Sequence, residues 1–230
     1  METAYIIVAG GRGARMQAET PKQFLLLANR PVLMHTLEHL HTGMPEAPLV
    51  LVLPEEELVQ WKALCAKYAF LLPHSICIGG ANRFESVKQG LMYLESNFSL
   101  RAETRIGIHD GVRPLIDKHT INRAFQLAEE KGSAVPVVES RDSLRLETPE
   151  GKQVLDRKQV FAVQTPQVFL ASHLLKAYEK DYQEAFTDDA TVIENSGYPL
   201  HFFAGDPQNI KLTYPIDLLL AELLLKQRHE

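Results

Sequence analysis

A glycine-rich segment near the N-terminus holds the first residues whose types and spacing suggest chemistry. It reads Ala9-Gly10-Gly11-Arg12-Gly13-Ala14-Arg15-Met16 and follows a short apolar run. Glycines placed where a strand ends let backbone N–H groups approach a phosphate. Arg15 and Lys22 bring two cations to this loop, although each taken singly could be a solvated surface residue. The segment predicts phosphate binding, but it lacks the Gly-Lys-Ser/Thr of a P-loop and the third glycine of a dinucleotide fingerprint.

A carboxylate and a guanidinium stand three residues apart in a second segment. It reads His109-Asp110-Gly111-Val112-Arg113-Pro114 and follows another apolar run. Asp110 could hold Mg²⁺ on the phosphates of a nucleotide, and Arg113 could bind a second phosphate. A local ion pair that organises the turn before Pro114 is the open alternative, because ion pairs are common without function.

Strands and helices alternate along the chain in a way that would bring these two segments together. The predicted strands are Tyr5–Ala9, Leu49–Leu53, His74–Ile78, Arg105–His109 and Ser133–Val138. The predicted helices are Val32–His41, Glu55–Tyr68, Phe84–Glu95 and Lys118–Lys131. Such alternation is typical of a parallel sheet, whose strand carboxyl ends share one edge. We therefore predict an α/β, Rossmann-like fold with a mostly parallel sheet flanked by helices.

The stretch Arg141–Gln164 breaks this alternation. Two short runs of alternating apolar and polar residues, Asp142–Leu146 and Gln153–Asp156, surround the turn-forming residues Thr148–Gly151. We predict a protruding β-hairpin arm over about residues 141–160, inserted in a single domain that spans residues 1–230. No predicted helix covers the apolar side chains of the arm, so either a neighbouring subunit buries them or they pack on the body of the same chain. We favour the first, and hence a homodimer, because an apolar hairpin is unstable alone.

Composition and charge exclude several classes of partner. The net charge of −5 over 230 residues gives no long-range attraction to nucleic acid or to an anionic membrane. The most apolar segment, Ile216–Leu225, is far shorter than a membrane span and is predicted to be a docked terminal helix. Cys65 and Cys77 match neither a metal motif nor a disulfide framework, so we expect a cytoplasmic protein. The N-terminus has no charged region followed by a long apolar region, so we expect no cleaved signal peptide.

Eight short motifs occur in an order that resembles the 2-C-methyl-D-erythritol 4-phosphate cytidylyltransferase family. They are Gly10-Gly11-x-Gly13-x-Arg15-Met16, Pro21-Lys22-Gln23-Phe24, Gly79-Gly80-x-x-Arg83-x-x-Ser86-Val87, His109-Asp110-x-x-Arg113-Pro114, Asp156-Arg157, Gln164-Thr165-Pro166-Gln167, Thr187-Asp188-Asp189-Ala190 and Asn209-Ile210-Lys211. The resemblance covers essentially the whole chain. It implies a nucleotidyltransferase of isoprenoid precursor biosynthesis that joins CTP to a sugar-alcohol phosphate, with Mg²⁺ as cofactor and pyrophosphate as the leaving group.

The same resemblance implies roles for individual residues. The catalytic cations would be Arg15 and Lys22 at the triphosphate, with Arg157 and Lys211 at the sugar-alcohol phosphate. The residues expected to bind substrate are Ala9, Gly10, Gly11, Gly13, Gly80, Ser86, Asp110, Gly111, Arg113, Ser143, Thr165 and Thr187. Gly80 and Ser86 would face the cytosine, and Asp110 would lie near the ribose and the metal. Ser143 and Arg157 fall on the predicted arm, so each would complete the site of the other subunit.

Three other readings compete with this one. The related ribitol-5-phosphate cytidylyltransferases share the loop, the lysine and the Asp-x-x-Arg-Pro turn, and motifs do not report substrate size. The run His35-Thr36-Leu37-Glu38-His39 matches a zinc peptidase pattern, but helical periodicity predicts that both histidines lie on a solvated face. A non-catalytic nucleotide-binding protein is the third possibility, since a fold does not determine function.

Overall fold

The first strand, β1 (Thr3–Val8), buries both of its faces in the computed structural model of the chain, which describes residues 1–11, 16 and 20–228. Ala4 and Ile6 belong to one apolar cluster, and Tyr5 and Ile7 belong to another. A strand that is apolar on both faces requires cover on both sides, as in α/β proteins. Two predicted site residues, Gly13 and Arg15, lie outside the described residues.

The central sheet contains eight of the described strands in the order β10-β7-β11-β6-β1-β4-β5, with β12 beside β7. Besides β1, its strands are β4 (Leu49–Leu53), β5 (Ser75–Ile78), β6 (Arg105–Asp110), β7 (Ser133–Glu139), β10 (Phe161–Val163), β11 (Gln167–Leu170) and β12 (Phe202–Ala204). The pairings β1·β4, β1·β6, β4·β5 and β7·β12 are parallel. The prediction of a mostly parallel sheet is therefore confirmed, but β11 runs antiparallel between β6 and β7, which the sequence did not indicate.

Helices cover both faces of this sheet, as predicted. They are α1 (Val32–Gly43), α2 (Leu58–Lys67), α3 (Arg83–Asn97), α4 (Lys118–Lys131), α5 (Ala171–Ala177), α6 (Asp189–Asn195) and α7 (Pro215–Gln227). Apolar residues of α3, α5 and α6 pack on one face, and those of α1, α2 and α4 pack on the other. Two short strands, β2 (Leu26–Leu27) and β3 (Arg30–Pro31), precede α1.

The predicted arm is a hairpin of two strands, β8 (Leu144–Thr148) and β9 (Gly151–Leu155). Its turn lies at Thr148–Gly151 as expected, and the two strands pair with each other in a sheet of their own. Leu146 is 47% exposed and Val154 is 69% exposed, so the arm buries little of its apolar surface within one chain. That the arm mediates dimerisation stays a prediction.

Helix α7 docks less completely than the sequence suggested. Ala221 and Leu225 are buried against Leu27 and Leu212, but Leu219 and its neighbours on the outer face are exposed. Its apolar composition therefore reflects a narrow contact with the body and a solvent-facing stripe. No helix among the described residues has the length and the apolar composition that crossing a bilayer would require.

Candidate active site

A cleft of about 190 Å³ opens at the carboxyl ends of β1, β4, β5 and β6. The described residues that line it are Val8, Ala9, Gly10, Gly11, Lys22, Gln23, Val52, Leu53, Pro54, Gly79, Gly80, Ala81, Asn82, Arg83, Ser86, Asp110, Val112 and Lys211. Ligands of open α/β sheets bind at this edge, because the connections after the strands surround it. The cleft thus joins the glycine-rich segment and Asp110, as the predicted topology required.

Asp110 is the one carboxylate among the described residues lining the cleft, and three cations surround it. Its carboxylate lies 2.9 Å from Lys211 Nζ, 3.5 Å from Arg113 Nε and 3.6 Å from Arg83 Nε. Burial opposes the charge of Asp110, but Arg83, Lys211 and Arg113 outweigh it and hold the pKa of this carboxyl far below its usual range. Asp110 is therefore ionised at neutral pH, and the site carries excess positive charge.

Arg83 is a site residue that reasoning from the sequence left without a role. It forms a two-pronged ion pair with Asp189, with distances of 2.9 Å and 2.6 Å from its guanidinium nitrogens to the carboxylate oxygens. Asp189 is fully buried, and the Tyr178 hydroxyl donates to it at 2.6 Å. Asn82 caps the start of α3 by accepting from Glu85 N, which fixes the backbone beside Arg83. The only available signal was that Arg83 and Asp189 belong to two of the shared motifs.

Two lysines reach the cleft from opposite ends of the chain. Lys22 begins a 3-10 turn over Lys22–Phe24, and its ammonium donates to Leu212 O at 3.3 Å, beside Lys211. Gly11 lies close to the same lysine, because a Cβ built on it would be 3.5 Å from Lys22 Cε. The side chain of Lys211 keeps 42% of its surface exposed. Lys22, Lys211 and Gly11 are therefore brought together.

Arg113 and Thr165 are buried and hydrogen-bonded within the protein, and Arg113 Nε, which makes no hydrogen bond, faces Asp110 at 3.5 Å. Arg113 Nη1 donates to Asn209 O at 2.8 Å, and Thr165 Oγ1 accepts from Asp110 N at 3.1 Å. The Thr165 hydroxyl also lies 3.0 Å from Nδ1 of His109. Burial lowers the pKa of the His109 imidazole to about 4. In this structure both residues order the loops around Asp110, which corresponds to the non-catalytic alternative for Arg113.

A network of amides fixes the loop that carries Lys211. Gln164 Nε2 donates to Asp206 O at 2.8 Å, and Asn209 Nδ2 donates to Thr165 O at 2.8 Å. Gln164 and Asn209 are buried, so their hydrogen bonds are protected from competition with water. The sequence placed both residues in shared motifs but gave no sign of this contact, which joins segments about forty residues apart.

The side of the cleft predicted to face the base is formed by Gly79, Gly80 and Ser86. Gly80 N donates to Ser86 Oγ at 3.2 Å, and Ser86 Oγ donates to Asn82 O at 2.8 Å. A Cβ at Gly79 would lie 2.9 Å from Ser86 Oγ, so the hydroxyl occupies the space that a larger residue would need. Gly111 lies behind the cleft, where a Cβ would meet Ala9 Cβ at 2.8 Å.

Besides Gly111, Arg113 and Thr165, which lie behind the cleft, three further predicted site residues among the described ones do not line it. Ser143 and Arg157 are exposed on the arm, where the Arg157 guanidinium donates to Arg141 O at 3.4 Å. Thr187 is exposed in the connection before α6. Within one chain, these three side chains are not part of the cluster around Asp110.

Comparison with known proteins places this arrangement in one family. The model of the 2-C-methyl-D-erythritol 4-phosphate cytidylyltransferases matches residues 3–227. The chain belongs to this family. The enzyme of that name from Bacteroides thetaiotaomicron is 42% identical over 98% of this chain and all of its own length, and that from Porphyromonas gingivalis is 45% identical over 96% of both chains.

Solved structures of the cytidylyltransferase family share the fold. A 4-diphosphocytidyl-2C-methyl-D-erythritol synthase superimposes with a TM-score of 0.81 at 26% identity, covering 97% of this chain and 98% of its own. The cytidylyltransferase from Thermus thermophilus gives 0.75 at 29% identity, covering 98% and 100%. The predicted Rossmann-like class is therefore confirmed.

The zinc-peptidase pattern has a structural explanation in this cytidylyltransferase fold. His35 is buried and its Nε2 lies 2.8 Å from Leu27 O, while His39 Nδ1 lies 2.6 Å from Pro114 O. Glu38 pairs with Arg30 at 2.7 Å. The prediction that both histidines lie on a solvated face was wrong, because α1 packs against the loops on either side. No group of three potential metal ligands occurs among residues 1–11, 16 and 20–228.

Burial of His35 predicts a specific pH dependence of stability. Burial lowers its pKa below 6.5, so the unfolded state binds the proton more readily. Its contribution to the free energy of unfolding is present above pH 6.5 and is lost as the pH falls towards the folded pKa. Urea titrations between pH 7.5 and 5 should show a steeper loss for the wild type than for His35→Gln. His119→Gln, an exposed change on α4, should follow the wild type, and equal slopes in all three would contradict this prediction.

The residues at the cleft fit a magnesium ion that arrives on a triphosphate. Mg²⁺ typically takes one or two carboxylates from the protein and completes its shell with phosphate oxygens and water. Asp110 is ionised and lies at the cleft, which suits a single protein ligand. Its ion pair with Lys211 would have to exchange, and Lys211 is exposed enough to turn away.

Proposed function

We propose that this chain transfers the cytidylyl group of CTP to 2-C-methyl-D-erythritol 4-phosphate, in isoprenoid precursor biosynthesis. The observation that carries the proposal is the full-length family match together with a cationic cleft at the carboxyl edge of the sheet. Among the described residues at this cleft, Lys22, Arg83 and Lys211 are cations and Asp110 is the single anion. A cleft of this charge suits two phosphate-bearing substrates.

The reaction needs positioned charge more than it needs a protein nucleophile. A phosphate oxygen of the sugar alcohol attacks the α-phosphorus of CTP, and the bond from that phosphorus to the bridging oxygen breaks to release pyrophosphate. The attacking phosphate has a second pKa of about 6 and is largely dianionic at neutral pH, so no general base is required. Lys22 would offset negative charge on the triphosphate of CTP. Lys211 would hold the attacking phosphate close to the α-phosphorus of CTP.

Mg²⁺ is part of this proposal, with Asp110 as its ligand from the described residues. When bound, the ion would neutralise phosphate charge and draw the triphosphate into one geometry. Arg83 and Arg113 hold the carboxylate of Asp110 from two sides, which keeps it oriented towards the cleft. Arg113 and Thr165 then support the site from behind, and direct contact of either with the sugar-alcohol phosphate would require their present hydrogen bonds to break.

A homodimer is the second part of the proposal. The exposed apolar residues of the arm, and the absence of Ser143 and Arg157 from the described lining of their own cleft, support an arm that serves the neighbouring subunit. A cytoplasmic location is also proposed, and the free thiols of Cys65 and Cys77 suit a reducing compartment. The chain has no expected nucleic-acid or membrane partner, given its net charge of −5.

Complementation between two inactive variants should reveal an arm that acts in trans. Lys22→Ala disables the cleft and Arg157→Ala disables the arm, so each homodimer should be inactive. After subunit exchange of an equal mixture, activity should recover to about a quarter of the wild-type value, because half of the dimers contain one complete site. Mixing Lys22→Ala with the double variant should recover nothing. Recovery without a dimer in sedimentation experiments, or no recovery despite exchange, would contradict the proposal.

Pyrophosphate release by the purified protein with CTP and Mg²⁺ tests the function directly. Release with 2-C-methyl-D-erythritol 4-phosphate but not with ribitol 5-phosphate is the expected result. Preference for ribitol 5-phosphate would show that the protein is a ribitol-5-phosphate cytidylyltransferase. No release with either substrate would favour a non-catalytic nucleotide-binding protein. Omitting Mg²⁺ should abolish release and adding it back should restore it.

A further inference from the structure

Gln23 is a fully buried residue at the cleft that the family comparison leaves without a role. The two hydrogens of its amide nitrogen are both used: Nε2 donates to Ala9 O at 2.7 Å and to Glu57 Oε2 at 2.5 Å. Each of these acceptors belongs to a different connection around the cleft. One side chain therefore joins the glycine-rich segment to the connection that follows β4.

The contact with Ala9 holds the point at which β1 ends and the glycine-rich segment begins. Ala9 N still pairs with Val52 O at 3.0 Å, but Ala9 O accepts its hydrogen bond from Gln23. Gly10 and Gly11 follow immediately and line the cleft. The direction in which the backbone leaves the sheet is therefore fixed by the Gln23 amide.

The contact with Glu57 anchors the same amide on the other side. Glu57 ends a 3-10 turn over Glu55–Glu57 at the start of α2, and it is only 8% exposed. Burial raises the pKa of this carboxyl, while the hydrogen bond from Gln23 lowers it. Burying a carboxylate beside an amide costs more than burying two apolar side chains of the same size. The hydrogen bond between Gln23 and Glu57 is thus better explained by the position in which it holds the two connections than by a gain in folding stability.

Gln23 is also the residue next to Lys22, within the same 3-10 turn. The turn is fixed to α2 a second time by Phe24, whose ring stacks on Trp61 with centroids 6.0 Å apart. Fixing the turn fixes the position from which Lys22 reaches into the cleft.

We propose that Gln23 and Glu57 are positioning residues that set the separation between the Lys22 ammonium and the backbone of Gly10 and Gly11. This inference rests on the assignment of the cleft to CTP. The pair acts on the triphosphate half of the reaction, through the two groups expected to contact it. Lys211 pairs with Asp110 and lies on a loop held by the separate amide network of Gln164 and Asn209.

Steady-state kinetics of four variants tests the proposal, with folding checked by thermal unfolding. Gln23→Leu and Glu57→Leu remove the pair, Glu57→Gln keeps an acceptor at position 57, and the double leucine variant removes both partners. We expect each leucine variant to lower kcat by about 100-fold, since displacement of a catalytic group by an ångström has effects of that size. The KM for the sugar-alcohol phosphate should change by less than about 3-fold, because its binding residues are undisturbed.

Two further results separate positioning from general loss of structure. Glu57→Gln should retain kcat within about 3-fold, and the double leucine variant should be no worse than either single one, because residues acting as one unit are not additive. Ser133→Ala is the matched control: it removes the hydrogen bonds of a buried hydroxyl to Pro199 O and to His201, on β7, away from the cleft. It should lower the melting temperature without changing kcat.

The outcomes distinguish this inference from the proposed function. Wild-type kcat in a folded Gln23→Leu variant would overturn the inference and leave the function intact. Loss of activity in Glu57→Gln equal to that in Glu57→Leu would also overturn it, because the charge and not the hydrogen bond would then matter. An inactive wild-type protein would refute the function itself.

Discussion

Lys22→Ala should lower kcat for cytidylyl transfer by roughly 100- to 1,000-fold, which is the cost of removing one preorganised charge from a transition state. Lys22 is the one lysine on the glycine-rich side of the described cleft, and its ammonium lies beside the backbone that leads to Lys211. Negative charge must be stabilised as pyrophosphate departs, and a lysine at this position can do so without moving far. Rapid-quench measurement of a single turnover would isolate the chemical step.

The fold should survive this change. Lys22 is half-buried, and loss of its hydrogen bond to Leu212 O at 3.3 Å should cost about 1 kcal/mol or less. Lys118→Ala, which removes an exposed lysine at the start of α4, serves as the control and should keep wild-type kinetics. A single-turnover rate for Lys22→Ala within a few-fold of the wild type would remove this residue from the catalytic group.

Asp189→Asn should destabilise the protein by about 3 kcal/mol, because removing one partner of a buried ion pair leaves the other charge uncompensated. Asp189 is fully buried and binds both arms of the Arg83 guanidinium, whose side chain is 26% exposed. The released Arg83 would be drawn towards Asp110, where it would compete with Lys211. Chemical denaturation should report the lost stability, and kcat should fall with it.

The neighbouring residue offers a matched control. Asp188 caps the first turn of α6 and also accepts from Gln167 Nε2 at 2.9 Å. Asp188→Asn keeps the cap but loses that acceptor, so it should cost about 1 kcal/mol, less than Asp189→Asn. The double variant Arg83→Met with Asp189→Leu separates the two roles of the pair. It should recover much of the stability, since apolar replacements of buried pairs are often neutral, but not the activity. Full activity in that double variant would show that Arg83 is dispensable for the site.

The elements with a clear period could be predicted from the sequence. Strand β4 and helix α4 have the predicted bounds, because a run of five apolar residues and a strongly amphipathic helix leave little choice of position. Strand β11 could not be predicted, because four residues do not establish a period and its antiparallel place between β6 and β7 depends on long-range pairing. The prediction of a solvated face for the histidines of α1 was wrong because their ring nitrogens contact the carbonyl oxygens of Leu27 and Pro114, which lie outside the helix.

The charged side chains of the site could be predicted from the sequence, but the buried hydrogen bonds that hold its loops could not. Asp110 ends β6 and Lys22 begins a short 3-10 turn, so the fold determines where both lie. Lys211 lies in the connection between β12 and α7 and reaches them through the loop that Gln164 and Asn209 hold. That Arg113 binds a phosphate stays a prediction; in the structure two of its guanidinium nitrogens donate to backbone carbonyls of remote loops and its Nε faces Asp110 at 3.5 Å. A sequence shows that an arginine could bind a ligand phosphate, but it does not show that the arginine donates to a backbone carbonyl forty or more residues away. The buried amides of the site went unassigned for the same reason.

The hairpin arm has a consequence for how this family can change over time. Because β8 and β9 pair with each other and not with the central sheet, insertions at the Pro149–Glu150 tip would lengthen the arm without shifting any strand that borders the cleft. The strands that position Asp110 and the glycine-rich segment would keep their places while the arm varies in length among relatives. A short peptide tag at this tip should accordingly leave the central sheet and the cleft undisturbed.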